Sequence, residues 1–185
     1  MAQQTHSDFP KVLIVTGAMA AGKSTVAQAL AEKLPLAVHL RGDLFRRMIV
    51  SGRVDPSPGT EDEWRAQLDL RYELAVTVAD RYAEAGFTVI YQDIVLDVLG
   101  ETAKALGRWS PGVVVLCPSP AALTDREAGR GKTAYVGWTP EGFDAMVRAQ
   151  TPKIGLWLDS SEMTADQTAD FILANPLLTR AGLEP

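Results

Sequence analysis

Gly17-Ala18-Met19-Ala20-Ala21-Gly22-Lys23-Ser24, followed by Thr25, carries the spacing G-x-x-x-x-G-K-[ST]. Val12-Leu13-Ile14-Val15-Thr16 precedes it, an apolar, β-branched run that reads as a buried strand. After it, Thr25 to Leu34 places Val26, Leu30 and Leu34 at helical spacing among good helix formers. A glycine-rich turn between strand and helix aims backbone N–H groups into one concavity, and the helix N-terminus adds partial positive charge. In that setting Lys23 reaches the β- and γ-phosphates of a nucleoside triphosphate, and the Ser24 hydroxyl sits on Mg²⁺. The stretch therefore reads as a phosphate-binding loop (P-loop), with Gly17, Ala18, Met19, Ala20, Ala21, Gly22, Lys23, Ser24 and Thr25 contacting the nucleotide.

With 185 residues the chain can bury a sizeable core, and its expected division is a flexible tail over 1–10 and one domain over 11–185. A hydrophobic fraction of 46% against 22% charged is that of a soluble globular protein, and no apolar run approaches a membrane span. The net charge of −5 offers no basic surplus to displace counterions, so a nucleic-acid partner is not expected. Cys117 is the single cysteine and forms no metal-ligand spacing; it reads as a core residue. Met1 to Asp8 has neither a basic n-region nor an apolar h-region, so the expected location is the cytoplasm.

Strand-like and helix-like stretches alternate along the rest of the chain. Leu36–Leu40 reads as a second strand and Leu44–Val50 as a short helix. Ser51–Thr60, with its glycine and proline breakers, reads as a loop. Glu61–Ala85 is the longest helical pattern, followed by a third strand over Phe87–Tyr91 that ends in Gln92-Asp93. A helix over Asp97–Leu106, a strand over Val113–Cys117 and a helix over Ala121–Ala128 come next. Pro140 opens a further helix, Ile154–Leu158 is a fifth strand, and Thr164–Ala174 closes the pattern. This alternation implies right-handed β-α-β units, hence an α/β fold with a parallel sheet covered by helices on both faces.

Ligands of open parallel sheets bind outside the carboxyl ends of the strands, which directs attention to the residues there. Asp43 follows the second strand, where a carboxylate can accept a proton from an acceptor hydroxyl and hold its oxygen in line. A helix N-cap is its competing role. Asp93 follows the third strand, where an acid can orient Mg²⁺, through water; a cap is again the alternative. Arg126 and Arg130, four apart in a glycine-punctuated segment, suit a lid over about 121–139 that spreads phosphoryl charge and excludes water. Their alternative is a solvated basic face. Of Arg46 and Arg47, one is expected to turn back toward Asp43 and bind the acceptor, and Arg46 is the one assigned.

Together these stretches resemble the small P-loop kinases of the adenylate-kinase-like group, which includes the chloramphenicol phosphotransferase, gluconate, shikimate and adenylylsulfate kinase families. Gly42-Asp43-Leu44-Phe45-Arg46 resembles the G-D-x-x-R after the second strand of adenylylsulfate kinases, where the Asp faces the acceptor hydroxyl. Arg126-Glu127-Ala128-Gly129-Arg130-Gly131-Lys132, then Ala134-Tyr135-Val136, is similar to the lid of the chloramphenicol phosphotransferases, as is Asp159-Ser160-Ser161 before a final helix. The resemblance implies a three-layer P-loop NTPase fold with a five-stranded sheet in order 2-3-1-4-5, ATP as donor and Mg²⁺ as cofactor. It also implies an adenine site between the lid start and the loop after the fifth strand. Arg41 stands where several of these kinases carry the first Asp of Asp-x-Asp, and Trp138–Lys153 is longer than the matching part of the chloramphenicol enzymes.

The expected activity is an ATP-dependent transfer of the γ-phosphate to a hydroxyl of a small molecule, an antibiotic or related natural product among them, by a monomer or homodimer. Asp43, Lys23, Arg126 and Arg130 are the expected catalytic set, Asp43 and Arg46 the acceptor contacts, and Ser24 and Asp93 the metal-side residues. An ATP-binding switch and a nucleoside monophosphate kinase built around Arg46 and Arg53 are the competing readings.

Overall fold

A computed structural model describes residues 9–129 and 139–178. Arg130, Lys132, the segment 134–136 and Trp138 lie outside the described residues, as does most of the expected N-terminal tail. Five parallel strands form one sheet: β1 (Val12–Gly17), β2 (Ala37–Arg41), β3 (Thr88–Gln92), β4 (Gly112–Leu116) and β5 (Leu156–Leu158). Their order is β2-β3-β1-β4-β5, as the resemblance implies.

β1 is buried along all six residues because it lies between β3 and β4 and has both faces covered. That is why its sequence is continuously apolar rather than alternating. At its end Thr16 closes two hydrogen bonds with one side chain: Oγ1 donates to the Val95 carbonyl at 3.0 Å and accepts from the Val95 N–H at 2.9 Å. The loop after β3 is thereby tied to the strand that feeds the P-loop. Gly17, with φ of 137°, turns the chain out of the sheet; a Cβ there would overlap the Leu116 carbonyl of β4.

α1 (Lys23–Lys33) packs Val26, Ala27 and Leu30 inward and lies against α7 (Ala165–Ala174). α7 begins with a capping box, in which Thr164 and Gln167 satisfy each other's backbone N–H. α3 (Glu61–Glu84) presents Ala75, Ala79 and Ala83 to β2 and β3 and meets α4 (Leu99–Ala105). Small side chains at that spacing bring the long helix close to the sheet. α5 (Pro120–Ala128) and α6 (Pro140–Gln150) each start with a proline in the first turn behind a hydroxyl cap, Ser119 and Thr139. Cys117 is buried, as its apolar context implies. Among the described residues no helix is long and apolar enough to cross a membrane.

The structure shortens some of the expected elements. The helix expected over Leu44–Val50 is α2 (Asp43–Arg47), which buries none of its residues; Met48 and Val50 beyond it are exposed, so nothing draws the helix onward. β5 begins at Leu156 rather than Ile154 because Gly155 has φ of 70° and cannot extend the ladder.

Thr16→Val keeps the shape of the side chain while stranding both polar groups of Val95. The expected loss of stability is about 2–4 kcal/mol, read from urea unfolding.

Candidate active site

A cleft of about 560 Å³ opens where the carboxyl ends of β1, β2 and β3 meet the start of α1. Met19 to Val26 form its floor; Arg41, Asp43, Arg47, Arg71, Gln92 and Asp93 form one wall, and Asp125, Arg126 and Ser160 the other. The sequence-assigned Lys23, Ser24, Thr25, Asp43, Asp93 and Arg126 therefore share one cavity.

In the P-loop, Ala20 (φ 59°) and Gly22 (φ 89°) are both left-handed, which curls the backbone so that its N–H groups converge. For Ala20 that conformation costs about 1–2 kcal/mol, a strain typical of a backbone shaped for a ligand. Lys23 is 7% exposed, and its Nζ donates to the carbonyls of Gly17 (3.0 Å) and Ala18 (2.6 Å). Its charge is thus held inside the curl. Arg126 ties its wall to the floor of the cleft, donating from Nη1 to the Ala21 carbonyl at 3.3 Å and from Nη2 to the Ser160 carbonyl at 2.6 Å. The Asp159-Ser160-Ser161 turn is itself braced: Asp159 accepts from the Ser161 hydroxyl and N–H, which hold its carboxyl below the usual range, and Ser161 Oγ accepts from the Ser119 N–H at 2.8 Å.

Gln92 and Asp93 at the end of β3 face different partners. Gln92 Oε1 accepts the Ser24 hydroxyl at 2.9 Å. Asp93 lies on the side of Tyr91, whose hydroxyl donates to Asp93 Oδ2 at 3.3 Å, and is fully buried. Arg71 of α3 grips it in a fork, with Nε on Oδ2 at 2.9 Å and Nη2 on Oδ1; the Ile94 N–H adds a bond to Oδ1 at 2.7 Å. The residue expected to orient the metal is thus committed to an arginine, and the group beside Ser24 is an amide. Gly42 passes so close to this pair that a Cβ would overlap the Asp93 carboxylate. Its N–H also bonds the Gln92 carbonyl at 3.0 Å, fixing the exit of β2 against that of β3.

Asp43 opens α2, one third exposed, with Arg47 Nη2 on Oδ2 at 2.6 Å and Arg41 Nε 3.5 Å from Oδ1. Arg47, one turn on, is therefore the arginine that turns back to the cleft. Arg46, the expected acceptor contact, is instead paired with Asp55 in the following loop. His39, behind Gln92 on β2, lies with Nδ1 2.9 Å from Gln28 Oε1; burial and then the charge of Arg41 hold it below the ordinary histidine value.

For a divalent ion, Ser24 is the available neutral oxygen at the head of α1. Among the described residues no group of three or more His, Cys, Asp or Glu could hold a metal. This donor set fits Mg²⁺, which keeps most of its shell as water and phosphate oxygens and needs few protein ligands.

Sequence reasoning missed Arg71, Gln92, Arg41 and Arg47 as members of this wall. The strand's period of two carried the signal for Gln92; Arg71, one position off the apolar stripe of a long helix, carried none. Arg71→Met would leave Asp93 buried with its main counter-charge removed, a loss of about 3–5 kcal/mol by chemical denaturation. Adding Asp93→Leu to that variant is expected to recover part of the loss.

Residues 12–152 match a family described as an AAA domain. No curated protein matches the sequence. Among solved structures, the fold is similar to a tunicamycin resistance protein of Deinococcus radiodurans, with TM-score 0.66, 15% identity and coverage of 88% of this chain and 93% of that one. It is also similar to a sugar kinase of a Janibacter species, with TM-score 0.64, 20% identity and coverage of 91% and 97%. Shikimate kinase of Acinetobacter baumannii gives TM-score 0.59 at 18% identity, covering 89% and 91%. At these identities the likeness is one of fold, a five-stranded parallel sheet in order β2-β3-β1-β4-β5 with helices packed on it. The family match spans most of the sequence, from the first strand into the turn after α6, and on that ground the chain belongs to the AAA domain family.

Proposed function

We propose that this protein transfers the γ-phosphoryl group of ATP to a hydroxyl of a small molecule. The observation that carries the reading is the shared cleft, in which the P-loop, a carboxylate at the end of β2 and an arginine from α5 converge. The kinase names of the sugar kinase and shikimate kinase neighbours support it, and the tunicamycin resistance protein brings antibiotics and related natural products into the acceptor panel.

In this reading the triphosphate lies along the P-loop, its oxygens receiving the converging N–H groups and the Lys23 ammonium. Asp43 holds the acceptor hydroxyl in line and takes its proton as the oxygen bonds to the γ-phosphorus. The bond from that phosphorus to the β–γ bridging oxygen breaks, and ADP leaves. Arg126 is already anchored over the P-loop and spreads charge on the transferring group; Arg130 is assigned the same task from the lid. Asp43 must first exchange Arg47 for the acceptor, so Arg47, rather than Arg46, meets the acceptor side. Ser24 would hold Mg²⁺, which neutralises phosphate charge when bound. Asp93 would act one step back, fixing Arg71 in the acceptor wall. The monophosphate-kinase reading would need Arg46 to leave Asp55, its partner in this structure.

ADP release from Mg·ATP is measured across aminoglycosides, chloramphenicol-like amides, nucleosides, sugars and monophosphates. One class is expected to stimulate it. Asp43→Asn should lower that stimulated rate about 10²–10⁴-fold while nucleotide affinity holds, and loss of both together would contradict the base assignment.

A further inference from the structure

The amide beside the P-loop serine has a consequence for metal binding. Gln92 is 6% exposed and fixed in register between Val15 of β1 and Arg41 of β2. Its Oε1 accepts the Ser24 hydroxyl at 2.9 Å. A serine that binds a divalent cation does so through a lone pair and keeps its proton, so that proton needs an acceptor. In P-loop enzymes an acid at this strand end works with the serine in holding Mg²⁺. Here the acid at the strand end, Asp93, is buried in the fork of Arg71, and Asp43, after β2, is the carboxylate assigned above to the acceptor hydroxyl. Arg41, a cation, closes the end of β2 on the same wall.

We infer that Gln92 is the positioning residue of the metal site. Its amide oxygen accepts a hydrogen bond from the Ser24 hydroxyl and so turns a Ser24 lone pair toward a divalent cation. Because the amide is neutral and Arg41 adds positive charge nearby, the protein alone has little affinity for that cation, which enters on the nucleotide. This inference rests on the nucleotide-site reading above.

The test uses the full chain and a non-hydrolysable ATP analogue with a β–γ imide bridge. Calorimetric titrations in EDTA and in Mg²⁺ give the metal enhancement as the ratio of two dissociation constants. Gln92→Met is expected to keep the metal-free affinity, which also reports an intact fold, and to lower the enhancement about tenfold or more. Gln92→Asn, too short to reach Ser24, serves the same purpose if the methionine variant does not fold. Gln92→Glu should retain the enhancement and bind Mn²⁺ without nucleotide, seen as loss of the free-ion electron spin resonance signal. Full enhancement in the Met or Asn variant, with its loss in Ser24→Ala, would overturn the role of Gln92. Tight Mn²⁺ binding by the unaltered, nucleotide-free chain would overturn the neutral-site claim. Failure of the unaltered chain to bind the analogue under either condition would instead overturn the nucleotide reading itself.

Discussion

The alternation of side chains at the end of β3 governs what each half of the cleft can do. Successive residues of a strand point to opposite faces, so Gln92 and Asp93 cannot serve the same partner. Gln92 meets the P-loop through Ser24, and Asp93 meets α3 through Arg71. Thr16 and Gly42 hold that strand end in place from β1 and β2. A one-residue slip of β3 that put Asp93 where Gln92 stands would set a carboxylate against Ser24 and leave Ile94 facing Arg71.

The charged groups of the cleft are held by the protein's own backbone and side chains. Lys23 bonds P-loop carbonyls, Arg126 bonds the backbone on two sides, and Asp43 bonds Arg47. These pairs differ in how readily they exchange. The Asp43–Arg47 pair is partly exposed, where water replaces a lost partner at small cost. The Arg71–Asp93 pair is buried, where losing one partner is severe. The cleft thus combines a rigid wall with a carboxylate that can change partners, as the proton transfer proposed for Asp43 requires.

Much of the fold was legible because its signals are local. The P-loop spacing, the apolar run before it and the helical period after it agree, and five such strand-helix units imply the parallel sheet. The misplaced boundaries have local causes that composition hides: Ile154 looks like strand, yet Gly155 turns the chain there; Met48 and Val50 look like a helix face, yet nothing covers them. The lining of the cleft was legible where a motif fixes geometry, as with the shared placement of Lys23, Ser24 and Asp43. It was not where pairing across elements decides. Arg46 and Arg47 are equivalent in sequence, and only Asp55 in the next loop takes Arg46 away. Arg71 lies far along the chain from Asp93 and meets it only once α3 packs on the sheet.

The fate of the terminal phosphate tests the central claim most directly. ATP labelled on its γ-phosphorus is incubated with the protein and a mixed pool of hydroxyl-bearing small molecules, and the labelled products are separated. The account predicts label on an organic acceptor, formed only when that acceptor is present. Label found solely as inorganic phosphate, at a rate no acceptor changes, would contradict it and identify water as the substrate of this cleft.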